Sequence, residues 1–190
     1  KKIASMAQII NDAAMRADNI IVDMLGQAGD KEKLSDINLR KLIEFCLKLS
    51  LHDVVVNSVT PQVSIDIDEE IVFKACRQKM QRVFINLFDN ALFALGQRFK
   101  NTKNEAKLEI SAEAVEDSII IKIRDNGTGI SPSDLRNIFI PFYSTKGDHG
   151  GTGLGMSLVY DIVKKHEGHI SIDSIPNKFT EVTLHLKQSL

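Results

Sequence analysis

The chain has 190 residues, of which 43% are apolar, and its formal net charge is −1. This length allows one large or two small domains with a substantial core. A charge so close to zero gives no electrostatic reason to expect binding to nucleic acid or to an anionic membrane. No apolar run approaches the roughly 20 residues of a membrane span, so we expect no membrane insertion of this segment.

The two cysteines, Cys46 and Cys76, share no metal-binding or redox spacing. We expect them to pack as small apolar groups, as cysteines do in a reduced, cytoplasmic compartment. The first residue is Lys1 rather than a methionine or a signal peptide, and we therefore expect a piece of a longer protein.

An apolar heptad pattern runs through residues 3–28. Its alternating steps of three and four predict a long bundle-forming helix, and further apolar positions favour a four-helix bundle over a two-stranded coiled coil. A surface helix docked on its own domain is the alternative. The polar stretch that begins at Gly29 predicts a boundary between residues 1–30 and residues 31–190. The heptad positions are Ile3, Met6, Ile10, Ala13, Ala17, Ile20 and Met24.

Helical apolar spacing recurs in three later segments, and we expect helices over residues 39–51, 77–99 and 152–166. Asn38 is positioned to cap the first of them, and Gly168 to stop the last. Ser133 is expected to cap a short helix that extends to Ile138.

Strand-like runs fill much of the remaining chain: residues 54–56, 63–67, 71–75, 108–115, 118–124, 169–174 and 180–186. Residues 108–115 and 118–124 are expected to form a hairpin turned at Glu116 and Asp117. Together these segments predict an α+β fold, a mainly antiparallel sheet with helices on one face and a separate N-terminal helical arm.

Two glycine clusters bracket the stretch with the strongest functional signal. The first, Asp-Asn-Gly-Thr-Gly at 125–129, follows a β-branched run that predicts a strand. The second, Gly-Gly-Thr-Gly-Leu-Gly at 150–155, leads into a predicted helix whose N-terminus would suit a phosphate group. Residues 144–149 between them have the composition of a mobile lid. Ordinary tight turns are the alternative for the first cluster alone.

On the predicted helix 77–99, Asn86 and Asn90 are four residues apart and therefore lie on one side. Asp89 is three residues after Asn86, and we expect it to point to a different side of the helix.

Four motifs in this order resemble the N, G1, F and G2 boxes of the ATP-binding catalytic domain of sensor histidine kinases. They are Asn86-x-x-x-Asn90, Asp125-x-Gly127-x-Gly129, Phe139-x-x-Phe142 and Gly151-x-Gly153-x-Gly155. The wider superfamily includes gyrase, the mismatch-repair ATPase and the heat-shock chaperone ATPase. The resemblance implies a two-layer α/β sandwich with a Bergerat-type ATP site. Residues 3–28 resemble the second helix of the kinase dimerisation domain.

The resemblance also assigns roles to individual residues. Asp125 would accept a hydrogen bond from the adenine amino group, and Asn90 would hold Mg²⁺ through its side-chain oxygen. Asn86 would face the phosphates, and Lys146 would neutralise their charge, so that Asn86, Asn90 and Lys146 form the catalytic set. Phe139 and Phe142 would anchor the lid. The other residues assigned to the nucleotide are Gly127, Gly129, Ile130, Phe142, Thr145, Gly151, Thr152, Gly153, Leu154, Gly155 and Thr180.

The implied activity is transfer of the ATP γ-phosphoryl group to a histidine on a dimerisation helix, for relay to the receiver domain of a response regulator. A homodimer through the N-terminal helix and a cytoplasmic location are implied with it, although the parent protein could be soluble or membrane-anchored. A hydrolytic ATPase of the same superfamily and a nucleotide-free dimerising scaffold are the alternatives.

Three positions depart from the pattern. Asn86 stands where hydrolytic relatives place a glutamate that activates water, which argues for phosphoryl transfer. Phe93 replaces the usual basic residue three positions after Asn90, as in the nitrogen-sensor type of kinase. The last glycine motif is reduced to residues 176–180, of which only Thr180 is expected to contribute.

The acceptor histidine is not evident among the five histidines. His166 is followed by an acidic residue, Glu167, but its place at the end of a predicted helix favours a structural role. We expect the acceptor to lie upstream of this chain.

Overall fold

The computed structural model describes residues 33–54, 59–100, 105–146 and 151–189. The heptad helix predicted over residues 3–28 and the boundary predicted near residue 30 lie outside these ranges.

The described part of the chain alternates helices and strands. The helices are α1 (Leu39–Val54), α2 (Arg77–Arg98), α3 (Pro132–Leu135) and α4 (Gly155–Lys165). The strands are β1 (Ser35–Asn38), β2 (Gln62–Ile67), β3 (Val72–Ala75), β4 (Lys107–Val115), β5 (Ser118–Asp125), β6 (His169–Ile175) and β7 (Phe179–Lys187).

The main sheet has five strands in the order β2-β4-β5-β7-β6. Strand β2 runs parallel to β4, and the other neighbouring strands are antiparallel. β1 and β3 form a separate two-stranded antiparallel sheet. The predicted α+β class with a mixed, mostly antiparallel sheet is therefore confirmed, as is the hairpin of β4 and β5.

Alternation along the strands places one face of the sheet against the helices. On β5, Ile119, Ile121 and Ile123 are buried. The facing layer is dominated by α2, which packs against α1, α4 and β5. Its side chains Phe84 and Phe88 are fully buried, with ring centroids 6.2 Å apart. The period of the apolar residues on α2 thus fixes which side of this helix faces away from the core.

Two predicted helix-end signals are observed. The Asn38 Oδ1 atom accepts a hydrogen bond from the backbone N–H of Lys41 at 2.9 Å, which caps α1. At the end of α4, the backbone N–H of Gly168 donates to the Val163 carbonyl at 2.9 Å, and Glu167 has a positive φ of 52°.

Other boundaries were predicted wrongly. Val54 belongs to α1 rather than to a strand, because helix propagation is cooperative and β-branched propensity is weak. Ser131, not Ser133, caps α3, since Pro132 occupies the first helical position and leaves the cap to the residue before it. This helix ends at Leu135 instead of Ile138, and α4 begins at Gly155 instead of Thr152.

Candidate functional site

A cavity of about 310 Å³ opens between α2, the β5 and β7 strands and the two glycine segments. Of the sequence-predicted site residues, Asn86, Asn90, Asp125, Gly129, Ile130, Thr145, Lys146, Gly151, Thr152, Gly153, Gly155 and Thr180 line it. Gly127, Phe142 and Leu154 do not line it. Residues distant in sequence are therefore brought to one place, as the motif order predicted.

Helix α2 forms one wall with the side that faces away from the core. Asn86 donates from Nδ2 to the Arg82 carbonyl at 2.8 Å, and its Oδ1 atom lies against Gly155. Asn90 follows one turn later on the same wall. The expectation that Asp89 points elsewhere was wrong, because Asp89 also lines the cavity. A three-residue step rotates a side chain by only about 60°, so a wide cavity meets both positions.

Lys146 reaches across from the loop that follows β5 and α3. Its Nζ atom donates to Asn90 Oδ1 at 2.8 Å and lies 4.7 Å from the centroid of the Phe93 ring. Burial lowers the pKa of this lysine, and the Asp89 carboxylate counteracts that effect by raising it. The ammonium group is thus held on an oxygen acceptor and an aromatic face, at the expense of its hydration.

Asp125 lines the cavity with only 4% of its surface exposed. Its Oδ1 atom accepts a hydrogen bond from the backbone N–H of Gly127 at 2.8 Å. Burial raises the pKa of Asp125 to about 6, while the Gly127 hydrogen bond and the charge of Arg124 oppose this increase. A carboxylate so desolvated favours a ligand that donates a hydrogen bond to it.

Thr180 stands beside Asp125, because the two residues are cross-strand partners on β7 and β5. Its Oγ1 atom is 3.1 Å from the Ser174 hydroxyl, which also accepts a hydrogen bond from the backbone N–H of Ile130 at 2.8 Å. Ser174 was missed by the sequence analysis, because its contact with Ile130 depends on the pairing of β6 and β7.

The second glycine segment closes against the residues that precede the lid. Gly153 has a φ of +72° and packs on the backbone of Phe142, where a Cβ atom would overlap the Phe142 carbonyl. Phe142 itself has a φ of 67°, and its side chain is 76% exposed. This exposure gives no support to the expectation that the Phe142 ring anchors the lid, which stays a prediction. Phe139 packs instead, with its ring 5.2 Å from that of Tyr160.

Residues 76–190 match the family described as histidine kinase-, DNA gyrase B- and HSP90-like ATPases. The chain belongs to this family. Members of this family are described as ATPases, so the domain is expected to bind ATP. The cavity bounded by α2 and the two glycine segments is the candidate binding site.

Similar proteins and structures agree with this membership. The chain is 31% identical over 183 residues to the sensor histidine kinase ZraS of Salmonella typhi, covering 95% of this chain and 37% of that protein. It is 28% identical to sporulation kinase B of Bacillus subtilis, covering all of this chain and 42% of that protein. The chain thus spans well under half the length of these relatives.

Solved structures show the same fold at lower identity. The catalytic domain of the histidine kinase ThkA superposes with a TM-score of 0.69 at 24% identity, covering 83% of this chain and 97% of that one. The histidine kinase AdeS of Acinetobacter baumannii gives 0.65 at 20% identity, covering 98% of this chain and 80% of that one. Among the described helices of this ATPase domain, none is long and apolar enough to cross a membrane.

The ATPase domain also fixes the start of its lid with a hydrogen-bond network that the sequence analysis missed. Tyr143 donates from its hydroxyl to Asp134 at 2.6 Å, and Ser131 donates to the other oxygen of the same carboxylate at 2.7 Å. The Tyr143 and Ser131 hydrogen bonds lower the pKa of Asp134. Both Tyr143 and Asp134 line the cavity. The Ser-x-x-Asp spacing at 131–134 is a capping signal that could have indicated this cluster.

Proposed function

We propose that this chain is the ATP-binding catalytic part of a sensor histidine kinase, which transfers the γ-phosphoryl group of ATP to a histidine on a dimerisation helix. The observation that carries the proposal is the convergence of Asp125, Asn90, Lys146 and the second glycine segment on one cavity. The family membership of residues 76–190 and the kinases among the relatives support it.

In this proposal Asp125 selects adenine. Its carboxylate accepts from the base amino group, and a base without that donor leaves it unpaired. Thr180, Ile130 and Gly129 also line the cavity, and Thr180 is the cross-strand partner of Asp125. The phosphates then extend towards Asn86, Thr145 and the segment 151–155, whose backbone N–H groups and helix start favour negative charge.

Asn90 is the proposed Mg²⁺ ligand. Its Oδ1 atom already accepts from a cation, the Lys146 ammonium, at 2.8 Å. Among the described residues no group of three or more His, Cys, Asp or Glu side chains could hold a metal ion. Mg²⁺ itself takes few protein ligands and shares its coordination with phosphate and water. When bound, Mg²⁺ would neutralise phosphate charge, and Lys146 would add a second positive charge.

We propose that the acceptor histidine lies on a dimerisation helix and is not His166. His166 is 4% exposed and its two ring nitrogens contact backbone groups of Ile162 and Cys76, which disfavours it as an acceptor. We propose that residues 3–28 form the dimerisation helix, that the chain acts as a homodimer through it, and that a response regulator receiver domain takes the phosphoryl group in the cytoplasm.

Nucleotide binding is tested by titrating the chain with ATP in an isothermal calorimeter, with Mg²⁺ present. Asp125→Asn should weaken ATP binding by about tenfold or more, because one charge-assisted hydrogen bond to the base is lost. Asp173→Asn, on the exposed face of β6, is the matched control and should bind as wild type does. Equal affinities for Asp125→Asn and wild type would refute the assignment of the site.

Phosphoryl transfer is tested with γ-labelled ATP, with and without an added dimerisation bundle of a related kinase that carries its histidine. Acid-labile, alkali-stable label on the bundle is the expected product. Hydrolysis is the second candidate reaction, which the position of Asp89 in the cavity wall favours. Rapid release of labelled phosphate that falls in Asp89→Asn, with no label on the bundle, would replace the kinase proposal by an ATPase.

A further inference from the structure

Three backbone carbonyl oxygens converge on a single side-chain nitrogen, Nη1 of Arg98, in the last turn of α2. The distances are 2.8 Å to the Asn126 carbonyl, 3.1 Å to that of Gly127 and 3.1 Å to that of Lys178. The first two carbonyls belong to the first glycine cluster, and the third belongs to the turn between β6 and β7. Arg98 therefore joins a helix, the loop after β5 and a distant hairpin turn.

This arrangement is more than a cap on α2, because none of the three carbonyls belongs to that helix. Carbonyl oxygens carry partial negative charge, so three of them around one point repel one another unless a positive donor lies between them. The guanidinium supplies that charge, and its position at the C-terminus of α2 is favourable as well. Without it, the loop and the turn would be expected to separate.

The contacts of Arg98 lead directly to the carboxylate of Asp125. Gly127 binds Asp125 Oδ1 through its N–H at 2.8 Å and binds Arg98 through its carbonyl at 3.1 Å. A Cβ atom on Gly127 would lie 2.7 Å from Ala94, so the loop lies tightly against α2. The turn is also tied to the loop by the Asn177 N–H, which donates to the Thr128 carbonyl at 2.6 Å.

We propose that Arg98 is a positioning residue that sets base selectivity, although it does not line the cavity. By fixing the Gly127 peptide and the adjoining turn, it holds the Asp125 carboxylate in the orientation that accepts from an adenine amino group. This inference rests on the proposed role of Asp125. In this chain the last glycine motif of the family is reduced to residues 176–180, and the Arg98 contact with the Lys178 carbonyl fastens that turn instead.

The test compares the affinities of the full chain for Mg-ATP and Mg-GTP by competition against a fluorescent trinitrophenyl-ATP. Arg98→Met keeps most of the side-chain length and removes the charge and the donors. ATP affinity should fall about tenfold while GTP affinity stays within about twofold, so that the preference for ATP shrinks. Arg98→Lys, whose ammonium has three N–H donors, should keep the preference within about threefold of wild type.

Arg40→Met is the matched control, because Arg40 also donates from Nη1 to a distant backbone carbonyl, that of Ile67 at 2.8 Å, but lies away from the cavity. It should leave the ATP-to-GTP ratio unchanged even if it lowers the melting temperature. An unchanged ratio in Arg98→Met with a lowered melting temperature would overturn the proposal, since Arg98 would then be structural only. An Arg98→Lys variant as impaired as Arg98→Met would overturn the role of the charge.

Failure of the proposed function is distinguishable from failure of this inference. If the wild-type chain itself binds ATP and GTP equally, the assignment of Asp125 fails and the inference fails with it. If wild type prefers ATP and Arg98→Met does so equally, only the inference fails. Should Arg98→Met not fold, Arg98→Gln carries the same test, because its shorter side chain ends in a neutral amide and so removes the positive charge from the three carbonyls.

Discussion

At the scale of single residues, the site holds charged groups in surroundings that disfavour their charge. Burial raises the pKa of Asp125 and lowers that of Lys146. Such shifts concentrate at functional sites, because a ligand that pairs with the group recovers what desolvation costs. The nucleotide-free domain is therefore expected to be less stable than it would be without these buried charges. A ligand that pairs with them should restore that stability.

Asp125→Asn should therefore change how the stability of the fold depends on pH. The pKa of Asp125 in the folded chain is about 6, above the ordinary value of 3.8 expected in the unfolded chain. Between these pH values the folded chain therefore keeps a proton on Asp125 that the unfolded chain releases. Stability contributed by this group is present below pH 3.8 and is lost as the pH rises through about 6. Asn keeps an oxygen that can accept the Gly127 N–H. We compare the unfolding free energy of Asp125→Asn with that of wild type, both without ATP. Between pH 4 and pH 7.5 this difference should shift in favour of the variant by roughly 1 to 3 kcal/mol.

Urea denaturation of both proteins at pH 4 and pH 7.5 measures this gain. Asp173→Asn serves as the control, since Asp173 is exposed on β6. If the variant loses stability equally at both pH values, the charged Asp125 carboxylate does not destabilise the fold.

The motif residues could be predicted from the sequence, but their supports could not. Asn86, Asn90 and Asp125 are marked by local spacing, and all three line the cavity. Arg98 and Ser174 gain their roles from contacts with segments far along the chain, whose register no local pattern contains. The positive φ of Phe142 and the exposure of its ring are likewise not signalled by the sequence.

At the scale of secondary structure elements, long periodic segments were predicted well and short ones poorly. Helix α2 was expected over residues 77–99 and spans Arg77–Arg98, because its apolar period extends over six turns. Strand β1 was missed and Val54 was misassigned, since four-residue segments carry little periodic signal. The parallel pairing of β2 with β4 depends on a connection through β3 and α2, which no local pattern specifies.

His166 joins two of these elements. It is the C-cap of α4, its Nδ1 lies 2.9 Å from the Ile162 carbonyl, and its Nε2 accepts from the N–H of Cys76, the N-cap of α2, at 3.4 Å. Burial lowers the pKa of His166, the positive charge of Lys79 lowers it further, and the Ile162 hydrogen bond opposes both. The ring is therefore neutral at neutral pH, and its two contacts place the proton on Nδ1.

The prediction is a loss of stability in acid. Above pH 6.5 the ring is neutral in both states, whereas below it the unfolded chain binds a proton that the folded chain resists, so unfolding becomes easier. His166→Gln should lose roughly 1 to 3 kcal/mol at pH 7.5 and show less of this acid dependence between pH 6.5 and 5. Thermal melts across this range, with the exposed His169→Gln as control, test it. Equal acid dependence in His166→Gln and wild type would contradict it.

At the scale of the whole molecule, the cavity lies where the helical layer, the main sheet and the loops meet. Its walls come from α2, from β5 and β7, and from the segments on both sides of the lid. A ligand there contacts elements that are far apart in sequence but share one core. Binding should consequently stabilise the described fold as a unit rather than a single loop.

This coupling allows the binding of Mg²⁺ to be tested through the stability of the fold. At an ATP concentration of 100 times Kd, binding adds about 2.7 kcal/mol, and a chain of this size should melt about 5 to 10 °C higher. Asn90→Ala removes the proposed metal ligand, so its increase with Mg-ATP should equal that with ATP and a chelator. Gln97→Ala, on the exposed side of the same helix, should respond as wild type does. Differential scanning calorimetry measures each increase, and a Mg²⁺-dependent gain that persists in Asn90→Ala would mean that another group holds the metal.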